Sequence, residues 1–176
     1  MTTAAKIPQL GNTVRDTITG YTGIAAQQLE LISGTIQFAV QPKIDKKAES
    51  GKYPDATNID VQMLEFVDDG VAARVTQPTA IIPFELGNTV KDTVTGFTGI
   101  ATGKHTFING CVYFSVTPPM SKEDKEKGTQ PEAGFFDAGR LARTGKGVAQ
   151  SYVKAPEVEK TKERPGGPST RARRAN

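Results

Sequence analysis

One histidine, His105, and one cysteine, Cys111, are the chain's whole supply of imidazole and thiol. A thiol becomes a nucleophile only beside a base, and nothing in the spacing around Cys111 marks one. One His, one Cys and scattered carboxylates do not make the nitrogen and sulfur ligand set of a zinc site. Gly99-Ile100-Ala101-Thr102-Gly103-Lys104-His105 has the look of a phosphate-binding loop. Its first glycine stands one residue too close, and His105 takes the place of the Ser or Thr that holds magnesium. The segment also reads as a strand, whereas such a loop must open a helix. Two carboxylate pairs remain, Asp16 with Asp92 and Asp60 with Asp137. Paired carboxylates can do acid–base work, but Asp in a chain of this kind more often organises turns and strand ends. The sequence therefore predicts no catalytic residue, no cofactor, no metal site and no enzyme.

The aspartates recur because the chain repeats. Leu10-Gly11-Asn12-Thr13-Val14-Arg15-Asp16-Thr17-Ile18-Thr19-Gly20-Tyr21-Thr22-Gly23-Ile24-Ala25 returns 76 residues later as Leu86 to Ala101, with three conservative differences. The match continues through Ser33–Pro42 against Asn109–Pro118. It resumes with Pro54, Ile59, Asp60 and Leu64 against Pro131, Phe136, Asp137 and Leu141, one residue having been inserted in the second copy.

Each copy reads as a string of strands. Val14 with Ile18, and Val90 with Val94, are spaced to share a strand face. The Thr-Gly-Tyr-Thr-Gly and Thr-Gly-Phe-Thr-Gly segments follow as tight turns, whose glycines supply positive φ. A second strand is expected over 24–32 and 100–108. Ser33-Gly34 and Asn109-Gly110 suit two-residue hairpin turns. In the third strand Ile36, Phe38 and Val40, and Val112, Phe114 and Val116, alternate; Pro42 and Pro118 end it. A closing element covers 59–66 and 135–141, either strand or, in the second copy, helix. The expected class is all-β: two tandem small SH3-like β-barrels with an extended N-terminal arm and a basic C-terminal tail. The boundaries read 1–9 for the arm, 10–67 and 86–148 for the repeats, 68–85 for the linker and 149–176 for the tail. Units this small bury little core, so the two are expected to pack on each other or on a partner.

The 43–53 and 120–130 segments, rich in Lys and Glu, read as solvated loops. Pro78 and Pro83 suggest a stiff, extended linker. The net charge of +3 is unevenly placed: from Lys154 onward seven basic residues face three acids, giving +4 and leaving −1 for the rest. Attraction to an anion thus belongs to the tail. No apolar run approaches the roughly 20 residues that span a bilayer, and the N-terminus lacks a signal-peptide core. A soluble protein made in a reducing cytoplasm is expected, with no membrane partner. The candidate partner contacts are Tyr21 and Phe97, at the glycine turns, and Arg164, Arg171, Arg173 and Arg174 in the tail. The two rings would either fold over their own barrel mouths or meet a neighbouring subunit or a stacked base.

The run Val90-Lys91-Asp92-Thr93-Val94-Thr95-Gly96-Phe97-Thr98-Gly99-Ile100-Ala101-Thr102, then Asn109-Gly110-Cys111, the strand ended by Pro118, Phe136-Asp137 and Arg140-Leu141 carry a resemblance. Together they are similar to a small SH3-like, KOW-reminiscent domain encoded by tailed bacteriophages and prophages. The resemblance covers most of 10–67 and 86–143; the first copy departs from it in lacking Asn-Gly-Cys. It implies a phage setting and does not fix a role; the leading expectation is a non-enzymatic virion structural protein assembled in the host cytoplasm, foremost a capsid decoration or cement protein bridging capsomers. The expected partners are the major capsid protein or other virion proteins in a large homo- or hetero-oligomeric assembly. Nonspecific nucleic-acid contact through the tail is a further expectation. A head–tail connector, a tail accessory protein and a KOW-like nucleic-acid-binding protein are the alternatives.

Overall fold

Asp16 and Asp92 decide where the first strand of each copy stops. In the computed structural model, which describes residues 6–44, 54–78 and 81–148, these strands are β1 (Thr13–Asp16) and, in the second copy, the strand Thr89–Asp92. The Asp16 carboxylate accepts from the Ile18 and Thr19 amides and from Thr19 Oγ1, at 3.1, 3.3 and 2.5 Å. Asp92 likewise takes the Thr95 amide at 2.9 Å and its hydroxyl at 2.5 Å. These bonds offer the backbone a turn in place of a ladder. Ile18 and Val94 consequently leave the strand and stand 72% and 73% exposed, which corrects the expectation that each shares a face with Val14 or Val90. Only the first glycine of each turn has positive φ, 75° at Gly20 and 79° at Gly96. Gly23 and Gly99 serve close approach instead: a Cβ there would collide with the Gln41 or Thr117 carbonyl.

The chain then runs through β2 (Thr22–Leu31), β3 (Ile36–Gln41), β4 (Thr57–Asp60), a 3-10 turn at Val61–Met63 and β5 (Leu64–Asp68). The second copy repeats this order as β6 (Thr89–Asp92), β7 (Thr98–Phe107), β8 (Val112–Thr117), β9 (Gly134–Asp137), a 3-10 turn at Ala138–Arg140 and β10 (Leu141–Gly145). The closing element is thus a strand, turn and strand in both copies. The hairpins have three-residue loops rather than two. Gly34 N donates to Leu31 O at 2.8 Å and Leu31 N to Thr35 O at 2.9 Å, with Gly34 at φ 85°. Phe107, Gly110 and Cys111 repeat the pattern, the geometry of a turn closed by a glycine bulge.

The 120–130 segment is not wholly loop. Ser121 and Asp124 form a capping box that starts α1 (Lys122–Lys127), and Gly128 at φ 63° ends it. Its mate in the first copy falls largely outside the described residues, as does the tail.

Within each copy the strand order is β5-β1-β2-β3-β4 or β10-β6-β7-β8-β9, all antiparallel. Alternation sends Val14, Ala25, Phe38, Val40, Ile59 and Leu64 into one core, and Val90, Ala101, Val112, Phe114, Val116 and Leu141 into the other. Phe84, within the expected linker, completes the second core: it is 6% exposed and its ring centroid lies 4.8 Å from that of Phe114. The linker is more than a spacer. It also holds a 3-10 turn, Ala72–Arg74, and Thr76 N donates to Ile108 O at 2.8 Å.

The cores are separate, but the sheet is continuous. β2 pairs antiparallel with β7, placing Gln27 opposite Phe107, Leu29 opposite His105 and Leu31 opposite Gly103. Leu29 and His105 are the same position of the repeat. The seam is therefore symmetric about that pair, and a pseudo-twofold axis passes between them. Hydrogen bonds from Ile32 N to Thr102 O (2.9 Å) and from Ile108 N to Ala26 O (3.2 Å) lie at its two symmetry-related ends. The chain is all-β, and in effect an internal isologous dimer.

Candidate interaction surface

Ladder pairing lays one row of side chains across six strands: Asp137, Tyr113, His105, Leu29, Gln37 and Asp60. On the second copy's half of this face four rings meet. Tyr113 stacks on Phe135 with centroids 5.0 Å apart and planes within 6°. His105 meets Phe135 edge-on at 4.8 Å, and Phe107 meets Tyr113 edge-on at 5.8 Å. Phe135 is 52% exposed, so the cluster is a surface ledge and not a core. The first copy carries Leu29, Leu31, Gln37 and Asn58 at these positions. The two halves of one symmetric sheet thus present different chemistry, aromatic on one side and a mix of leucine and amide side chains on the other. Sequence reasoning missed this ledge. Its signal was present in the positions where one copy has a ring and its mate does not.

His105 sits beside Ser115, with Nε2 to Oγ at 2.8 Å, and Gln27 Nε2 lies 2.6 Å from Nδ1. An amide nitrogen donates, so Nδ1 accepts and the ring proton rests on Nε2, given to Ser115. That polarity is opposite to a base drawing a proton from serine. Burial also lowers the His105 pKa, which favours the neutral ring. The pair ties β2, β7 and β8 together across the seam. Cys111 is exposed beside the hairpin turn, its amide donating to Asn109 Oδ1 at 3.1 Å. Among the described residues no cluster of three His, Cys, Asp or Glu side chains could hold a metal ion.

Three of the four aspartates that first suggested chemistry hold turns; Asp60 stands at the start of the Val61–Met63 turn without a side-chain capping hydrogen bond. Asp92 is fully buried and takes a bidentate pair from Arg140, Nε to Oδ1 at 3.0 Å and Nη2 to Oδ2 at 2.8 Å. The Arg140 hydrogen bonds, with those of Thr95 and Val94, hold its carboxyl far below the usual carboxylate range against the opposing cost of burial. The position of Arg140 is Met63 in the first copy. Asp16 accordingly has no arginine partner there and is lowered by the Thr19 hydroxyl and the Ile18 and Thr19 amides. The backbone role is shared: Thr17 N donates to Met63 O and Thr93 N to Arg140 O, both at 2.9 Å. Asp137 Oδ1 accepts from Gly139 N at 2.8 Å and starts the 3-10 turn Ala138–Arg140.

Tyr21 packs on the first core, its hydroxyl 3.5 Å from Val40 O. Phe97 packs on the second, with its ring 5.2 Å from that of Phe136, and the Arg140 guanidinium lies 5.8 Å from the Phe136 centroid. Both rings are half-buried against their own copies. Arg164, Arg171, Arg173 and Arg174 lie outside the described residues. No described helix is long and apolar enough to cross a membrane. Comparison with family models, curated proteins and solved structures finds no match to this chain.

Proposed function

We propose that the protein is a non-enzymatic virion structural protein of a tailed bacteriophage, a capsid decoration or cement protein that bridges capsomers. The observation that carries the reading is the β2–β7 seam, which joins two copies of one unit across a pseudo-twofold axis into one sheet. On this reading each copy is a small SH3-like barrel, in keeping with its five-strand order and the 3-10 turn before the last strand. Such a body offers two related binding faces at a fixed separation, suited to a shell built from many copies of one subunit. The divergence of the faces suits neighbours that are chemically alike but differently placed. The basic tail adds electrostatic attachment to acidic capsid surface, weakened by salt, with packaged DNA as its other available polyanion.

The test is the copy number of this polypeptide in purified virions of the encoding phage, measured by quantitative mass spectrometry. A fixed ratio to the major capsid protein supports shell decoration. A small number set by the portal ring or tail would move the assignment to a head–tail connector or tail accessory protein. Absence from virions would overturn the reading.

A further inference from the structure

The two copies treat the carboxylate of their first turn differently. In the second, Asp92 is fully buried and both its oxygens take the Arg140 fork, Nε at 3.0 Å and Nη2 at 2.8 Å. The guanidinium lies 5.8 Å from the Phe136 centroid, and that ring lies 5.2 Å from Phe97. Carboxylate, guanidinium and two rings thus stand together beside the second core.

The first copy keeps the carboxylate and changes what surrounds it. Asp16 is 5% exposed, and its own turn holds it as Asp92 is held: the Thr19 amide and hydroxyl meet Oδ2, as those of Thr95 do in the second copy. The carboxylate is therefore oriented alike in both. In place of Arg140 stands Met63, which has no side-chain N–H to give. In place of Phe136 stands Ile59, of Phe97 Tyr21, and of Gly134 Thr57. Gly134 has no room for a Cβ, which would collide with the Phe136 ring; without that ring, Thr57 fits.

A cavity of about 490 Å³ opens here, lined by Asp16, Thr19, Gly20, Tyr21, Thr57 and Ile59. The mates of Asp16, Tyr21 and Ile59 are the three groups gathered about the Arg140 guanidinium. Asp16 is ionised at neutral pH, since the Thr19 hydroxyl and the Ile18 and Thr19 amides lower its pKa. A buried carboxylate gains most from a cation that satisfies both oxygens. The adjacent cation, Arg15, is held by Glu65. Ile59 and the Tyr21 ring give an apolar wall for a side-chain stem, and the Tyr21 and Thr57 hydroxyls give acceptors that Phe97 and Gly134 cannot.

We propose that this pocket receives the side chain of an arginine from a partner protein, its guanidinium seated on Asp16 as that of Arg140 is on Asp92. The second copy carries its own arginine; the first takes one from outside. Met63, 36% exposed and flexible, swings aside as the fork arrives. The pocket's chemistry is the same whatever assembly the chain joins.

Titration of the isotope-labelled full chain with Nα-acetyl-arginine methylamide, followed by amide NMR shifts, tests this. The Thr19, Gly20, Tyr21 and Thr57 amides should shift saturably in the millimolar range. Those of Thr95, Gly96 and Phe97, beside the satisfied Asp92, should stay fixed. The lysine analogue should bind at least about tenfold more weakly, because an ammonium does not span both oxygens. Met63→Arg supplies the guanidinium within the chain and should raise the melting temperature and abolish the shifts. Asp16→Asn should weaken binding at least about tenfold; if losing the turn unfolds the first copy, Met63→Arg decides alone. Equal shifts at both turns, equal binding of the lysine analogue, or binding that survives Met63→Arg overturns the proposal. So does a Thr19–Tyr21 turn left unshifted, whether the pocket is closed or filled from the chain's own tail.

Discussion

Replacing Phe84 by Ala perturbs a side chain that lies outside the repeated strands yet is buried in the second core. The ring is 6% exposed, 4.8 Å from Phe114 by centroid and inclined to it by 58°. Phe→Ala truncations in cores cost about 3–5 kcal/mol, from lost transfer energy plus the cavity left behind. Phe84 also lines an open cavity, so its neighbours can relax into part of the vacated space and the expected loss is about 3 kcal/mol. For a chain of this size that corresponds to a fall of about 6–12 °C in melting temperature. Urea denaturation followed by far-UV circular dichroism should show a lower midpoint with an unchanged slope. A loss below about 1 kcal/mol, typical of a surface site, would refute the assignment of Phe84 to the core. The copies differ here, since the mate of Phe84 is the smaller Pro8, also buried.

Asp92 gives a pH dependence of known sign. Its folded pKa lies below the unfolded value of 3.8, so its contribution is full above that value and is lost as pH falls through the folded pKa. Asp92→Asn should lower the urea midpoint at pH 7 and flatten the acid limb of a stability-against-pH curve; an unchanged limb would exclude the Arg140 pair as its source. His105 acts in the opposite range. Burial lowers its folded pKa below 6.5, so the unfolded chain binds the extra proton and stability falls as pH drops from 7 through 6.5 toward the folded value. His105→Leu, which copies Leu29, should remove that slope in chemical denaturation between pH 7 and 5. At the seam, Gln28→Pro with Thr106→Pro removes donors from facing residues of β2 and β7. Calorimetry should show one transition for the native chain and two for the double variant, and a single transition in the double variant would contradict coupling through the seam.

The sequence made the duplication and its strands legible because strand alternation and glycine turns are local signals. Phe38 and Phe114 were readable as core from period alone. Ile18 and Val94 were not, because the Asp16 and Asp92 side chains compete for the backbone just where the strand pattern would continue. The extra loop residue at Ile32 and Ile108 was hidden behind a Ser-Gly or Asn-Gly pair that suits the shorter turn equally well. Phe84 and the β2–β7 seam depend on contacts far apart in the chain, which no local window contains. Arg140 could have been marked by its mismatch with Met63, and the aromatic ledge by Tyr113 and Phe135 standing opposite Gln37 and Asn58. In each of these the difference between copies, not the shared pattern, carried the information.

The central claim is that the two copies act as one bridging body on a viral shell. Its most direct measurement is binding of the purified full chain to undecorated shells of the encoding phage, quantified by sedimentation across a concentration series. The account predicts saturable binding at a fixed ratio to the capsid subunit, with shells that resist heat better once occupied. Shells that take up no protein at saturating concentration, with no gain in heat resistance, would contradict it.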